Sequence, residues 1–109
     1  MQTMTNTMAV VQAHGSLNAS NAHDFHRSLV ERIQCDKSAG LVVDMSRVES
    51  LDSAGLISLV SALKQARERS KRFCLCSVPP TIRIIFELTQ LDRAFEMLED
   101  ASHDTLLAA

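Results

Sequence analysis

The chain has 109 residues and a formal net charge of −2 at pH 7. One domain of this length buries about 65% of the surface its unfolded chain exposes, enough for a core without disulfide or metal staples. Near-balanced charge and an apolar share of 46% exclude a disordered chain and remove the electrostatic basis for binding nucleic acid or an anionic membrane. The chain lacks tryptophan and tyrosine and has four phenylalanines, too few for base-stacking platforms. The opening "MQTMTNTMAV" has neither a basic segment nor a long apolar run, so it does not read as a signal peptide. No apolar stretch reaches the length of a membrane span, and the expectation is a soluble, cytoplasmic protein.

The elements are taken in chain order. "MAVVQAH", Met8 to His14, is short and valine-rich, and reads as a strand ending at Gly15. "GSLNASNA" reads as a turn. From Asn21 the residues Ala22, Phe25, His26, Leu29, Val30 and Ile33 recur at spacings of three and four, predicting a helix. Asn21 is placed as its cap, with Asp24 near the positive end of the dipole. "LVVDM" after Gly40 is a near-continuous apolar run, the pattern of a strand buried on both faces, with Asp44 near its end and expected close to Ser53.

A second helix is predicted from Ser53, with Leu56, Leu59, Val60 and Leu63 inward, fading into "KQARERSK". Arg67, Arg69, Lys71 and Arg72 read as a solvated helix end whose cations complement the dipole. "RFCLCSV" reads as a strand. "PP" starts a third helix with Ile82, Ile85, Phe86 and Thr89 inward, since proline suits a first turn. "AFEMLE" reads as a last strand and "SHDTLLA" as a short terminal helix capped by Ser102. Glu96, Glu99 and Asp100 read as a solvated acidic tail. Strand and helix alternate with short links, which implies a single α/β domain with a mostly parallel sheet and crossover helices.

The three cysteines, Cys35, Cys74 and Cys76, form no CxxC. Cys74 and Cys76 share one strand face, and the cysteines read as buried, reduced thiols rather than metal ligands. His23 and His26, three apart on the first helix, lack a third ligand, so no metal or other cofactor is expected.

The chemistry concentrates at Ser53, where three readings compete. A hydrolase elbow needs G-x-S-x-G, and Leu51-Asp52-Ser53-Ala54-Gly55 lacks the leading glycine. None of His14, His23, His26 and His103 stands at a spacing that marks it as a base, so no catalytic residue is assigned. A helix cap at Asp52 or Ser53 is a second reading. It leaves Gly55 unexplained, because glycine inside a helix costs about 1 kcal/mol relative to alanine. Close approach by another backbone would account for that cost. In the third reading Ser53 is phosphorylated: phosphate adds about two negative charges, tolerated at a helix N-terminus and unfavourable under a docked partner.

The order strand, Gly15-Ser16-Leu17, helix, strand, Asp52-Ser53-Ala54-Gly55-Leu56, helix, strand, proline-led helix resembles the sulphate-transporter and anti-sigma-factor-antagonist (STAS) domain. The likeness covers the chain from about Met8 to Leu107, within one domain spanning 1–109. It implies that Ser53 is the position phosphorylated by a partner that is both serine kinase and anti-sigma factor. It further implies that Asn18, Asp52, Ser53, Ala54 and Gly55 form the partner-binding surface, and that the unphosphorylated form frees the sigma factor. A phosphoserine phosphatase belongs to such a cycle.

Three residues differ from the family pattern: Ala54 where a hydroxyl residue is usual, Asn18 where aspartate is frequent, and Gln90 where a helix-ending glycine is common. The short stretch before Met8 leaves the family's first edge strand truncated or absent. The alternatives on the same fold are a subunit of a transporter or signalling assembly, and a sensor of a nucleotide or other small ligand.

Overall fold

Gly40–Leu51, Arg72–Cys76, Met8–Leu17 and Glu96–Leu98 are the strands of one parallel sheet. In chain order they are β1 (Met8–Leu17), β2 (Gly40–Leu51), β3 (Arg72–Cys76) and β4 (Glu96–Leu98), and they lie side by side in that order. Three helices make the crossovers: α1 (Ala22–Ile33), α2 (Ser53–Glu68) and α3 (Pro80–Leu88). A 3-10 turn at Leu91–Arg93 leads into β4. This is a computed structural model, and it describes residues 8–35 and 38–99. The predicted terminal helix with its Ser102 cap, Asp100, His103 and the segment before Met8 lie outside the described residues.

The single-domain α/β expectation holds. Right-handed crossovers that always advance in one direction leave every helix on the same face of a parallel sheet. The core shows this directly. Leu29 and Ile33 of α1, Leu59 and Ala62 of α2, and Ile82 and Phe86 of α3 pack with Leu41, Val43, Met45, Phe73 and Leu75 of the sheet. Each large side chain buried there contributes about 1.5–3 kcal/mol. Phe95, just before β4, closes the core edge-on to Phe86, with centroids 5.4 Å apart, and tilted on Phe73 at 6.1 Å. The other sheet face carries a smaller buried group, Met8, Val42, Cys74 and Cys76. Leu41, Val42 and Val43 are fully buried on alternating faces, as a two-sided strand requires.

The structure departs from the sequence expectations in informative places. β1 does not end at Gly15 but runs to Leu17, passing irregularities between Gln12 and His14 and between Gly15 and Ser16. Gly15 has φ +73°, a backbone state open to glycine, which lets the strand bend and continue. β2 continues seven residues past Asp44, from Met45 to Leu51, paired with β1 alone after β3 ends at the pair Asp44–Cys76. Asp44 therefore sits mid-strand and away from the start of α2.

On α2, Val60 is exposed rather than inward, and Leu56 is half-buried. The buried stripe is made of small residues, Gly55, Ser58, Ala62 and Ala66, with Leu59 and Leu63. They let α1 and the sheet come close. On α3, Thr89 is exposed, and its hydroxyl donates back to the Ile85 carbonyl at 2.8 Å. Gln90 has φ +63°, the left-handed conformation that favours the glycine usual there.

The charged end of α2 is structural rather than merely solvated. Arg67 donates to the Ala94 carbonyl at 3.0 Å, Lys71 to the Cys35 carbonyl, and Arg72 to Glu96 through Nε at 2.9 Å. Glu96 is accordingly an ion-pair partner at the sheet edge, not part of a free acidic tail. Cys74 and Cys76 are buried and Cys35 is exposed, which corrects the expectation for Cys35.

Candidate functional site

The site forms where β1 and β2 end and α1 and α2 begin, at the carboxyl ends of parallel strands. The Asp52 N–H donates to the Leu17 carbonyl at 3.0 Å, carrying the β1–β2 ladder into the first residue before α2. Asp52 is then the N-cap: its backbone is extended (φ −98°, ψ −174°) and its Oδ1 accepts the Gly55 N–H at 3.1 Å. Of the two caps considered, Asp52 is the one used. Ser53 follows as the first helical residue, exposed, and its hydroxyl makes no hydrogen bond among the described residues.

Gly55 is buried, and a Cβ added to it would meet the Leu17 carbonyl oxygen at 2.6 Å and Leu51 Cδ1 at 2.8 Å. The close approach inferred from its helix cost is therefore real, and it is made by the chain's own β1. Gly55 supports the site from beneath and is not part of its accessible surface.

Asn18 ends β1 as a folded polar knot. Its carbonyl accepts the N–H groups of Asn21 at 3.1 Å and Ala22 at 2.8 Å. Its Oδ1 accepts the Ser20 N–H at 2.9 Å and the Ser20 hydroxyl at 2.6 Å. Asn21 stands at the N-cap position of α1 but caps no helical N–H. Its Oδ1 accepts the Asn18 N–H at 3.0 Å and its Nδ2 donates to the Ser16 carbonyl at 2.7 Å. The side chain predicted to cap α1 thus fixes the turn before it.

Ser58, unremarked in the sequence, ties the two helices together. Its hydroxyl lies 3.1 Å from the Ala22 carbonyl and 3.0 Å from that of Ala54, and donates between them. No sequence pattern announced it; a serine on an otherwise apolar helix stripe was the only signal.

The structure brings Asn18, Asp52, Ser53, Ala54 and Gly55 to one end of the molecule, leaves His14 and Asp44 within the sheet, and sets His23 and His26 on an adjoining groove that Ala54 shares. His23 and His26 line a groove of ≈ 340 Å³ between α1 and α2 with Ala54, Ile57 and Ser61, and Ser53 is not among its lining residues. The Nε2 of His26 is buried without a hydrogen-bond partner. His14 lies on β1, beside Arg47 in the strand register. Asp44 is engaged within the sheet. Burial pushes its carboxyl up, but the Ser46 N–H at 2.9 Å, the Ser46 and Gln12 side chains and nearby Arg47 outweigh this and hold it below its usual value. Among the described residues no three His, Cys, Asp or Glu side chains are grouped to hold a metal ion, and no helix is long and apolar enough to cross a membrane.

This arrangement presents an exposed hydroxyl at a helix N-terminus, where amide N–H groups lacking intrahelical acceptors favour negative charge. The whole chain is similar to known proteins. BtrV of Bordetella bronchiseptica, described as a proposed anti-sigma factor antagonist, is 30% identical over 83 residues, covering 75% of this chain and 70% of that protein. The crystal structure of a proposed anti-sigma factor antagonist from Thermotoga maritima superposes with a TM-score of 0.79 at 26% identity, over 88% of this chain and 82% of the other. The Bacillus cell-fate determinant SpoIIAA in its phosphorylated form shares the fold, with a TM-score of 0.68 at 17% identity, over 95% of this chain and 91% of the other. The profile of the STAS domain family matches residues 2–105, and the chain belongs to that family.

Proposed function

We propose that this protein is an anti-sigma factor antagonist, a binding module switched by phosphorylation of Ser53. One observation carries the reading: the Ser53 hydroxyl is exposed at the first position of α2, directly after the capping Asp52, and makes no hydrogen bond among the described residues. An external kinase can reach such a hydroxyl without unfolding anything. The similarity to BtrV supports an anti-sigma factor as the partner class; that this partner is also the serine kinase, supplying its own ATP and magnesium, is what the resemblance of Asp52 to Leu56 to the family motif implies.

Asn18, Asp52, Ser53 and Ala54 form the face presented to that partner, with Gly55 holding the strand end close below. Added phosphate brings about two negative charges. The α2 N-terminus stabilises them locally, so the fold survives. The Asp52 carboxylate stands beside them, and a docked surface would have to desolvate the whole cluster. The partner therefore leaves while the antagonist stays folded. A phosphoserine phosphatase resets the cycle.

The test is incubation with candidate anti-sigma kinases and magnesium-ATP, read by intact mass and fragment mapping. The expected product carries one phosphate, on Ser53, absent from Ser53→Ala. The kinase should bind the unmodified chain and release the phosphorylated one. Phosphate on another residue, or unchanged binding after modification, would refute the proposal.

A further inference from the structure

Asn18, Asp52, Ser53 and Ala54 make up a small, mostly polar face. A stable protein–protein contact covers about 800 Å² of each partner and roughly 20–30 residues a side. Its binding energy concentrates in a desolvated, largely apolar centre, and polar groups form the rim. Four residues at the start of α2 supply a rim without a centre. A partner that docks on Ser53 therefore has to cover more of the molecule.

The adjoining surface has the missing property. Ile57 stands four positions after Ser53 and three after Ala54, so it shares their side of α2. It is 63% exposed, on a helix whose other stripe is buried in the core. Val60, 37% exposed, continues the row one turn on, and exposed Lys64 ends it. Single apolar residues on a surface are ordinary. Here two stand in a row that starts at Ser53, and a groove runs beside them. This groove of ≈ 340 Å³ has Ala54, Ile57 and Ser61 on its α2 side and His23 and His26 on its α1 side. Among the described residues no Asp, Glu, Lys or Arg lines it. Two polar atoms of its walls are turned away: the Ser58 hydroxyl is spent on the Ala22 and Ala54 carbonyls, and the His26 Nε2 is buried. The groove suits an uncharged, apolar side chain better than an ion.

We propose that the anti-sigma factor anchors on this surface, seating one aliphatic or aromatic side chain in the α1–α2 groove against Ile57 and covering Val60 beside it. The inference rests on the function proposed above and adds the residues that supply the binding energy. Ala54 belongs both to the polar face and to the wall of the groove, so a single contact is continuous over the two. Alanine in place of the usual hydroxyl residue keeps the passage between them apolar. The placement also explains why phosphate on Ser53 breaks the contact. The added charge lies at the border of an apolar seat, where a partner closing on Ile57 strips its water. Desolvating an unpaired charge costs far more than leaving it in the open.

The experiment is calorimetry of the full chain and its variants against the anti-sigma kinase that modifies Ser53. Ile57→Lys and Ile57→Glu should fold like the parent by circular dichroism, since the position is exposed and both residues are good helix formers. Each should bind at least about tenfold more weakly, whatever its sign, and Ile57→Leu should bind like the parent. Ser61→Arg, which fills the groove from its own wall, should weaken binding as well. The heat-capacity change on binding should be negative for the parent and smaller in magnitude for Ile57→Ser, the mark of lost apolar burial. Parent-like affinity in Ile57→Lys or Ile57→Glu overturns the anchor and leaves the switch at Ser53 standing. So does weakening by one charge with strengthening by the other, which would report an electrostatic contact instead. A parent chain that no candidate kinase binds or phosphorylates refutes the function itself, and the anchor with it.

Discussion

Gly55 lies against Leu17 so closely that a Cβ would stand 2.6 Å from the Leu17 carbonyl oxygen. That same carbonyl accepts the Asp52 N–H, so it cannot move without opening the last link of the β1–β2 ladder. Alanine at this position gains about 1 kcal/mol of helix propensity, against an overpacking cost of about 1–3 kcal/mol. Gly55→Ala should lower the melting temperature, and Gly55→Val should lower it further. Both should bind the partner normally per folded molecule. A Gly55→Ala variant as stable as the parent would disprove this account of the contact.

Ser53→Ala should leave stability within about 0.5 kcal/mol of the parent, since the hydroxyl is exposed and bonds to nothing described. Ser53→Asp should also fold, because its charge sits at the positive end of α2. Binding to the anti-sigma factor should separate them, with Ser53→Asp at least about tenfold weaker, or roughly 1.4 kcal/mol. Equal affinities by calorimetry would count against the switch.

Burial, and then the Glu96 carboxylate 3.2 Å from its sulfur, push the Cys74 thiol up to about 12. Its thiolate is scarce at neutral pH, and the residue is shielded as well. Iodoacetamide should therefore modify Cys35 quickly and Cys74 only as fast as the chain opens. Peptide mapping over time checks this, and rapid labelling of Cys74 in the native state would contradict it.

The Arg72 guanidinium, the main cause, together with the Cys74 thiol holds the Glu96 carboxyl below its usual value of 4.5, against an opposing push from burial. A carboxyl lowered by folding adds stability above its unfolded pKa and loses it as pH falls through the folded one. Glu96→Gln should thus melt below the parent at pH 7, and the two curves should converge once the pH drops below the lowered pKa. Parallel melting curves across the acid range would show that the pair contributes nothing.

Gln90 adopts φ +63° after α3, at the position where glycine is usual in this family. A left-handed conformation costs a non-glycine residue about 1–2 kcal/mol, part of which glycine gives back as chain entropy. Gln90→Gly should raise the melting temperature by a few degrees. A fall would mean that the Gln90 side chain makes a contribution larger than its strain.

The sequence by itself determined the elements and their order. Valine-rich runs marked β1 and β2, the spacing of Leu29 and Ile33 marked α1, and Pro79-Pro80 marked the start of α3. These signals are local, because periodicity and proline geometry act within a few residues. The run Asp52 to Leu56 also exposed the candidate site, since a cap followed by an unexpected glycine is a local anomaly. Only the tertiary structure decided what those residues touch. Val60 fits the inward pattern of α2 yet faces outward, because small residues turned the helix towards α1. β2 outran "LVVDM" because β1 supplied partners as far as Leu51, although "SRVES" looks polar. Asn21 gave up its cap to hold the Asn18 turn. Gly55 proved to be a contact with Leu17, a residue thirty-eight positions earlier in the sequence. Each of these depends on which surface lies opposite, and that is set by how the chain returns on itself, a relation that no window of neighbouring residues contains.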